Sequence, residues 1–387
     1  MFYPEFVAYV DRSRIEAYLR ADNFAQADTE LQTLLAWRTR DPRARYLQAV
    51  LRRRAGDVDG FEKALATSKA LGTAASLVGF QERLLAVQQG AIDKDSEADL
   101  LAAAADFSSD DIAAQTYEAI ARGYLESYRL KEAWQCLEYW TQWQPNASSA
   151  RLMMGEILIR TGMPAQAAEQ YRRILSDAPE LATAKEKLAT TLLKVNEVNE
   201  AAELLRQISR ENPQVAQLWI ELSDAERRLG NLDAAREAVH NARKQGVNSH
   251  QRGECFSILG QLSMADQDPA SAVELLLAAT ELIPEDATAQ HALGSALTLV
   301  GQRQAGDLHR DRAQRIREQY DQIQKWTREV IERPDDLDLR VKIGRALIAQ
   351  GLRNEGVQWL QTALARDANY APARDALNSL LGTDRTP

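Results

Sequence analysis

Along most of the chain apolar residues recur three and four positions apart, in paired stretches separated by short polar or glycine-bearing breaks. That spacing predicts amphipathic helices arranged as antiparallel hairpins, and no run of alternating β-branched residues competes with it. Ala, Leu, Glu, Gln and Arg dominate the composition, while the 19 Gly and 11 Pro are thinly spread, which favours helix throughout. The expectation is an all-α chain.

The stretch LMMGEILIRTGMPAQAAEQYRRILSDAP, residues 152–179, carries small residues, Gly155 and Ala167, in the middle of two otherwise bulky apolar faces. The same feature returns at a fixed interval. Pro145, Pro179 and Pro213 are 34 residues apart, and so are Ala133, Ala167, Ala201 and Ala235. Units aligned on these marks start near Ala114, Ser148, Ala182 and Ala216, then, after a slip of three residues, near Gly253 and Ala287. Gly155, Gly260, Gly294 and Gly344 mark the first helix of their units (helix A) and Ala or Gly marks the second (helix B), so the two helices can approach at their crossing. The prolines lack a backbone donor and restrict the residue before them, so helix B ends there.

The pattern resembles the tetratricopeptide repeat, whose signature is an aromatic, Leu-Gly and Tyr in helix A followed by Ala, Phe and Pro in helix B. One unit shows Tyr117, Ile120, Ala121, Tyr124, Ala133, Leu137 and Pro145; the next shows Met154, Gly155, Leu158, Ala167, Tyr171, Ile174 and Pro179. Later units show Trp219 with Leu222, and Phe256 with Leu259 and Gly260. Arg151 and Lys185 replace the leading aromatic, Glu226 the Tyr and Val247 the Pro. The resemblance implies a right-handed superhelical solenoid of antiparallel helix pairs with a concave wall lined by helix A.

The expected organisation is degenerate helical repeats over 1–113, a regular array over 114–302, an elongated helix over 303–336, and a last repeat with a capping helix over 337–387. Gly294 and Gly344 are 50 residues apart, one period plus an insertion of 16, and no breaker occurs between Asp307 and Arg333. Leu308, Ile316, Tyr320, Ile323, Trp326 and Val330 fall at helical spacing within that insertion. A lengthened helix B packed on its neighbours is favoured over a projecting arm. The tail GTDRTP is expected to fray.

A formal net charge of -9 disfavours a nucleic-acid backbone as partner. The run Arg52-Arg53-Arg54 ends a helix, where positive side chains complement the helix dipole, and is read as a cap. Cys136 and Cys255 are isolated, so neither a disulfide framework nor a zinc site is expected, and a cytoplasmic, reducing compartment fits. Nothing in MFYPEFVAYVDRSR reads as a signal peptide or membrane span, and an anchor upstream of Met1 is left open. No phosphate-binding loop, nucleophile elbow or paired histidines appear, and His240, His250, His291 and His309 lie in different units. No cofactor, metal or catalytic activity is expected.

The resemblance implies a groove lined by Gln115, Glu118 and Arg122, then Leu152 and Glu156, then Lys187, Thr190 and Lys194. It continues through Ile220, Glu221, Asp224 and Arg228, then His291 and Ser295, and ends at Val341 and Arg345. The expected function is a non-catalytic scaffold that binds protein partners, an extended peptide among them, on the concave face. The Lys and Asn constellation that clamps acidic chaperone tails is absent for the most part. A nucleic-acid-binding array using Arg52–Arg54 and Arg303–Arg317 is the alternative, and an accessory subunit of a membrane or envelope assembly a second. Oligomeric state is left open.

Overall fold

The computed structural model describes residues 3–92, 94–106 and 110–383. Among the described residues there is no strand, and the helices are, in order, α1 (Tyr3–Arg20), α2 (Phe24–Trp37), α3 (Pro42–Arg54), α4 (Val58–Ala70), α5 (Ala75–Gln88), α6 (Lys94–Asp106) and α7 (Asp110–Glu126). Then come α8 (Leu130–Trp143), α9 (Ser148–Arg160), α10 (Pro164–Asp177), α11 (Ala182–Lys194), α12 (Val198–Glu211), α13 (Ala216–Arg228) and α14 (Leu232–Lys244). The remainder are α15 (Ser249–Ala265), α16 (Pro269–Leu282), α17 (Ala287–Leu299), α18 (Arg303–Glu332), α19 (Leu337–Ala349), α20 (Arg353–Arg366) and α21 (Ala371–Thr383). Odd-numbered helices are the A helices, and even-numbered helices up to α20 the B helices.

The expected starts at Ser148, Ala182, Ala216 and Ala287 coincide with helix starts. The start expected near Gly253 lies earlier, at Ser249, because Asn248 and Gln251 form a reciprocal capping box there. The elongated helix runs from Arg303 to Glu332, and the last four residues of the tail GTDRTP lie outside the described residues. The chain divides into two compact units: unit 1 comprises Met1–Ile157 with Ser176–Leu181, and unit 2 comprises Leu158–Leu175 with Ala182–Pro387.

In unit 2 the helices of a pair meet at small residues. A Cβ on Gly260 would fall 2.5 Å from Leu276 Cγ, one on Gly294 2.7 Å from the Gly306 carbonyl oxygen, and one on Gly344 2.9 Å from that of Gly356. These distances are below contact, so α15–α16, α17–α18 and α19–α20 can pack as they do only with glycine there. Where the crossing residue is alanine, as at Ala167, Ala201 and Ala235, it is wholly buried. Ala189, Leu205, Leu222 and Ala238 then form a continuous apolar layer from α11 to α14.

A second regularity explains the missing aromatics. The position expected to hold one lies six residues after the proline that follows helix B, and its side chain donates to that proline's carbonyl. Arg151 reaches Pro145 O at 2.7 Å, Trp219 reaches Pro213 O at 2.9 Å, Gln290 reaches Pro284 O at 3.0 Å and Arg340 reaches Pro334 O at 3.0 Å. Each of these carbonyls lies two residues past the end of its B helix, outside the intrahelical ladder, so any side chain with an N–H and sufficient length can serve. Glu226, in the Tyr position, is likewise buried and paired, accepting from Arg206 at 2.6 and 3.0 Å and from Asn231 at 2.8 Å. Burial alone would raise its carboxyl; these hydrogen bonds outweigh that and hold it below the usual range.

Unit 1 adds a buried charge network to an apolar core that runs from Ile15 to Val78. Arg54 donates to Asp22 at 2.5 Å, to Glu118 at 2.6 Å and to the Leu19 carbonyl, and stacks on Phe24. Asp22 uses its other oxygen to accept from the backbone N–H of Ser149 at 2.8 Å, capping the first turn of α9 from 127 residues away. Arg53 is completely buried and donates to Gln81, Gln88 and Gln115, and burial draws its guanidinium down to about 10. All three arginines lie in the last turn of α3, where the cap reading puts them, but Arg53 and Arg54 are also buried and paired there. Successive helical residues point about 100° apart, so only Arg52 faces the α3 surface while its two neighbours enter the interior.

Candidate functional site

The groove residues expected from sequence fall in both units, and each group is described within its own unit. In unit 1, Glu118 is fully buried between Arg54 and Arg122, so it belongs to the frame and not to an open wall. The carboxyl would rise on burial, but Arg54, Arg122 and Arg53 together hold it below the usual range. Gln115 spends its carbonyl on Arg53 and Gln81, at 3.2 and 3.0 Å. Arg122, Leu152 and Glu156 are half-buried.

In unit 2, Ile220 and Val341 are also buried, at 3 and 4% exposure, and are corrected to core positions. A helix turns about 100° per residue, so a window of several neighbouring positions reads across the boundary between face and core. The rest divide by helix. Asp224 accepts from Arg227, and Arg228 donates to Leu193 O at 2.9 Å and Asn196 Oδ1 at 2.6 Å, which fastens the end of α13 to the end of α11. Exposed His291 and half-buried Ser295 occupy α17, with the serine hydroxyl turned back onto the His291 carbonyl. Exposed Arg345 reaches Pro372 O at 3.3 Å.

Lys187, Thr190, Lys194 and Glu221 lie together on α11 and α13. Thr190 Oγ1 donates to Glu221 Oε2 at 3.0 Å, linking α11 to α13, and Gln251 donates to Gln217 at 3.3 Å, linking α13 to α15. The A helices thus carry a polar row across three successive repeats. Burial, with Glu186 and Glu254 adding like charge, lifts the Glu221 carboxyl to about 7. Lys194 is solvent-exposed, yet burial of its surroundings lowers its ammonium, against the attraction of Glu221 and, from α20, Glu355.

In the long helix, Arg328 of α18 donates to the Thr161 carbonyl at 3.2 Å, and a Cβ on Gly162 would fall 2.6 Å from Gln324 Oε1. Ile323, Thr327 and Val330 are buried, so the second half of α18 packs within unit 2 and is not a free arm. Leu308 and Tyr320, expected on its apolar face, are exposed. Among the described residues no group of His, Cys, Asp and Glu could hold a metal ion, and no helix is long and apolar enough to cross a membrane.

Residues 186–245, from α11 through α14, match the tetratricopeptide repeat family. The sequence matches no curated protein. Solved structures similar to it include the thermophilic tetratricopeptide protein TTC0263 of Thermus thermophilus, at 22% identity over 52% of this chain and 100% of that one, with a TM-score of 0.36. A tetratricopeptide repeat protein of Parabacteroides merdae is 13% identical over 65% of this chain and 99% of that one, TM-score 0.36. MamA is 20% identical over 43% of this chain and 96% of that one, TM-score 0.33. The match across α11–α14 identifies tetratricopeptide repeats in that region, and the 34-residue period and the alternation of A and B helices carry the same helix-pair pattern along the chain.

Proposed function

We propose that the chain is a non-catalytic scaffold that binds an extended segment of a protein partner along the A-helix face of unit 2. The observation that carries the reading is the polar row Lys187, Thr190, Lys194, Glu221, Gln217 and Gln251, which spans three A helices and joins them by side-chain hydrogen bonds. An extended chain leaves its backbone donors and acceptors unpaired, and a row of amide, hydroxyl and charged groups at repeat spacing satisfies them in register. Repeat arrays of this family serve in general as interaction scaffolds, which agrees with it. The nucleic-acid alternative is weaker: Arg53 and Arg54 are buried, and Arg310, in the other basic run, is engaged by the Gly294 carbonyl and Thr298.

The test is partner capture followed by cross-link mapping, with Lys187→Glu and Lys194→Glu combined and with Glu237→Lys on exposed helix-B surface as control. Reversal of both lysines is expected to weaken capture at least about tenfold, equivalent to about 1.4 kcal/mol, while the control retains it. Equal capture by both variants, or cross-links confined to B helices, removes the A-helix face from consideration.

A further inference from the structure

Unit 1 contains a feature that the periodicity of the sequence does not announce. A cavity of about 260 Å³ opens among α1, α3, α5, α7 and the end of α8. Leu19, Leu47, Val50 and Trp140 give it an apolar floor, and all four side chains are nearly or wholly withdrawn from solvent elsewhere. One wall is the buried Asp22–Arg54 pair. The rim consists of two further pairs, Arg43 with Glu16 at 2.8 Å and Arg20 with Asp111 at 3.0 Å, whose side chains are partly exposed.

Size and charge together limit what fits. An apolar cavity of about 150 Å³ is known to accept a benzene ring, and pockets for drug-sized ligands begin at about 300 Å³. A space of 260 Å³ therefore suits one bulky side chain or a ring of that size. Each carboxylate that lines the cavity is already matched by an arginine at hydrogen-bond distance. An ionised occupant would have to break one of these pairs and be desolvated at the same time, so a neutral occupant is favoured. Trp140 has committed its indole N–H to Gln144 at 3.2 Å and offers ring surface, and guanidinium groups border the space, which favours an aromatic over an aliphatic guest.

The rim also indicates the source of that guest. Glu16, Arg20, Arg43 and Asp111 all belong to A helices, α1, α3 and α7, so the mouth opens on the type of face that the proposed function assigns to an extended partner. From this geometry we propose that the cavity is a socket for a single uncharged aromatic side chain, Trp or Phe, presented by a partner protein segment. This assignment deepens the scaffold reading and rests on it for the identity of the partner as a chain.

Titration of the full-length protein with N-acetyltryptophanamide, N-acetylleucinamide and N-acetyllysinamide tests it, read by NMR of Leu and Val methyl groups. The tryptophan amide is expected to shift Leu19, Leu47 and Val50 saturably while leaving Leu205 and Leu276 of unit 2 unmoved. The leucine amide binds several-fold more weakly and the lysine amide not measurably. A ten-residue Gly/Ser peptide with one central Trp should bind at least threefold tighter than the amide; equal affinity would mean a free small aromatic compound and would overturn the segment assignment. Ala114→Phe, which adds a ring from the α7 wall, should lower affinity at least tenfold; should that variant fail to fold, the wild-type shift map decides alone. Absence of shifts at the three named residues, or preference for the lysine amide, overturns the socket. The two readings fail separately, because Lys187→Glu with Lys194→Glu should leave this titration unchanged whatever it does to partner capture.

Discussion

Units 1 and 2 share the use of glycine where helices approach closely, at Gly123 against Val87 as at Gly294 against Gly306, but differ in what else they place between helices. Unit 2 removes side chains from the crossing, with Gly294 against Gly306 and Gly344 against Gly356. Unit 1 inserts large ones, with Arg53 and Arg54 buried among Asp22, Glu118 and three glutamines. The first device is tolerant of what lies nearby, since a missing Cβ makes no demand on a partner, and it can therefore recur with the repeat. The second requires specific partners at specific separations and cannot recur.

The contrast is broken most severely by removing one member of the buried network. Glu118→Ala leaves Arg54 without one of its two anions, and urea denaturation should show a loss of about 3–5 kcal/mol for unit 1. Arg54→Met with Glu118→Met and Asp22→Asn should cost less than the single change, because the guanidinium and both of its buried carboxylates are removed together; if the triple variant is worse, packing and not charge holds the unit. In unit 2 the corresponding change is Gly294→Ala, whose new methyl would lie against the Gly306 backbone oxygen, with an expected loss of about 1–3 kcal/mol.

A smaller effect separates the units by pH. The Glu221 carboxyl has a folded pKa of about 7 against an ordinary 4.5, so folding favours its protonated form. Its contribution is complete below 4.5 and is lost as pH rises through 7. Glu221→Gln should accordingly raise the Tm at pH 8 by the equivalent of about 1 kcal/mol and leave it unchanged at pH 4. Glu118 has the opposite sign, its lowered carboxyl giving stability above the ordinary carboxylate range that is lost as pH falls. The smallest change sharpens the comparison by its direction. A methyl added at Gly79 in α5 would have nothing within 4 Å, so Gly79→Ala should stabilise by about 0.5–1 kcal/mol, measured by thermal melting.

How much of this could be read from sequence follows from the same contrast. Helix pairs, the elongated α18 and the starts at Ser148, Ala182, Ala216 and Ala287 were legible because glycine, alanine and proline mark backbone geometry directly, whereas α7 and α15 begin four residues before the expected Ala114 and Gly253. The donor six residues after the terminal carbonyl was written there too, in Arg151 and Gln290 as much as in Trp219, but it is hidden when the position is read as aromatic instead of as a side chain with an N–H. The helix-end position of Arg52–Arg54 was legible, but their burial was not, because the partners of Arg54, Asp22 and Glu118, lie 32 and 64 residues away. Of the candidate A-helix face, the polar positions on α11 and α13 were recoverable by register, whereas burial of Ile220 and Val341 depends on how far each helix rotates. The cavity in unit 1 combines residues from five helices without any common spacing.

The contact between Asp22 and the Ser149 amide has a consequence for the order in which the chain matures. Most repeat hairpins can form as soon as their own residues exist, because their contacts are local. At a synthesis rate of about 5–20 residues per second, Asp22 and Arg54 are available seconds before Glu118 and longer still before Ser149. The opening hairpins therefore spend that interval with an incompletely neutralised guanidinium, and the final arrangement of the amino-terminal half is set only once the ninth helix has left the ribosome.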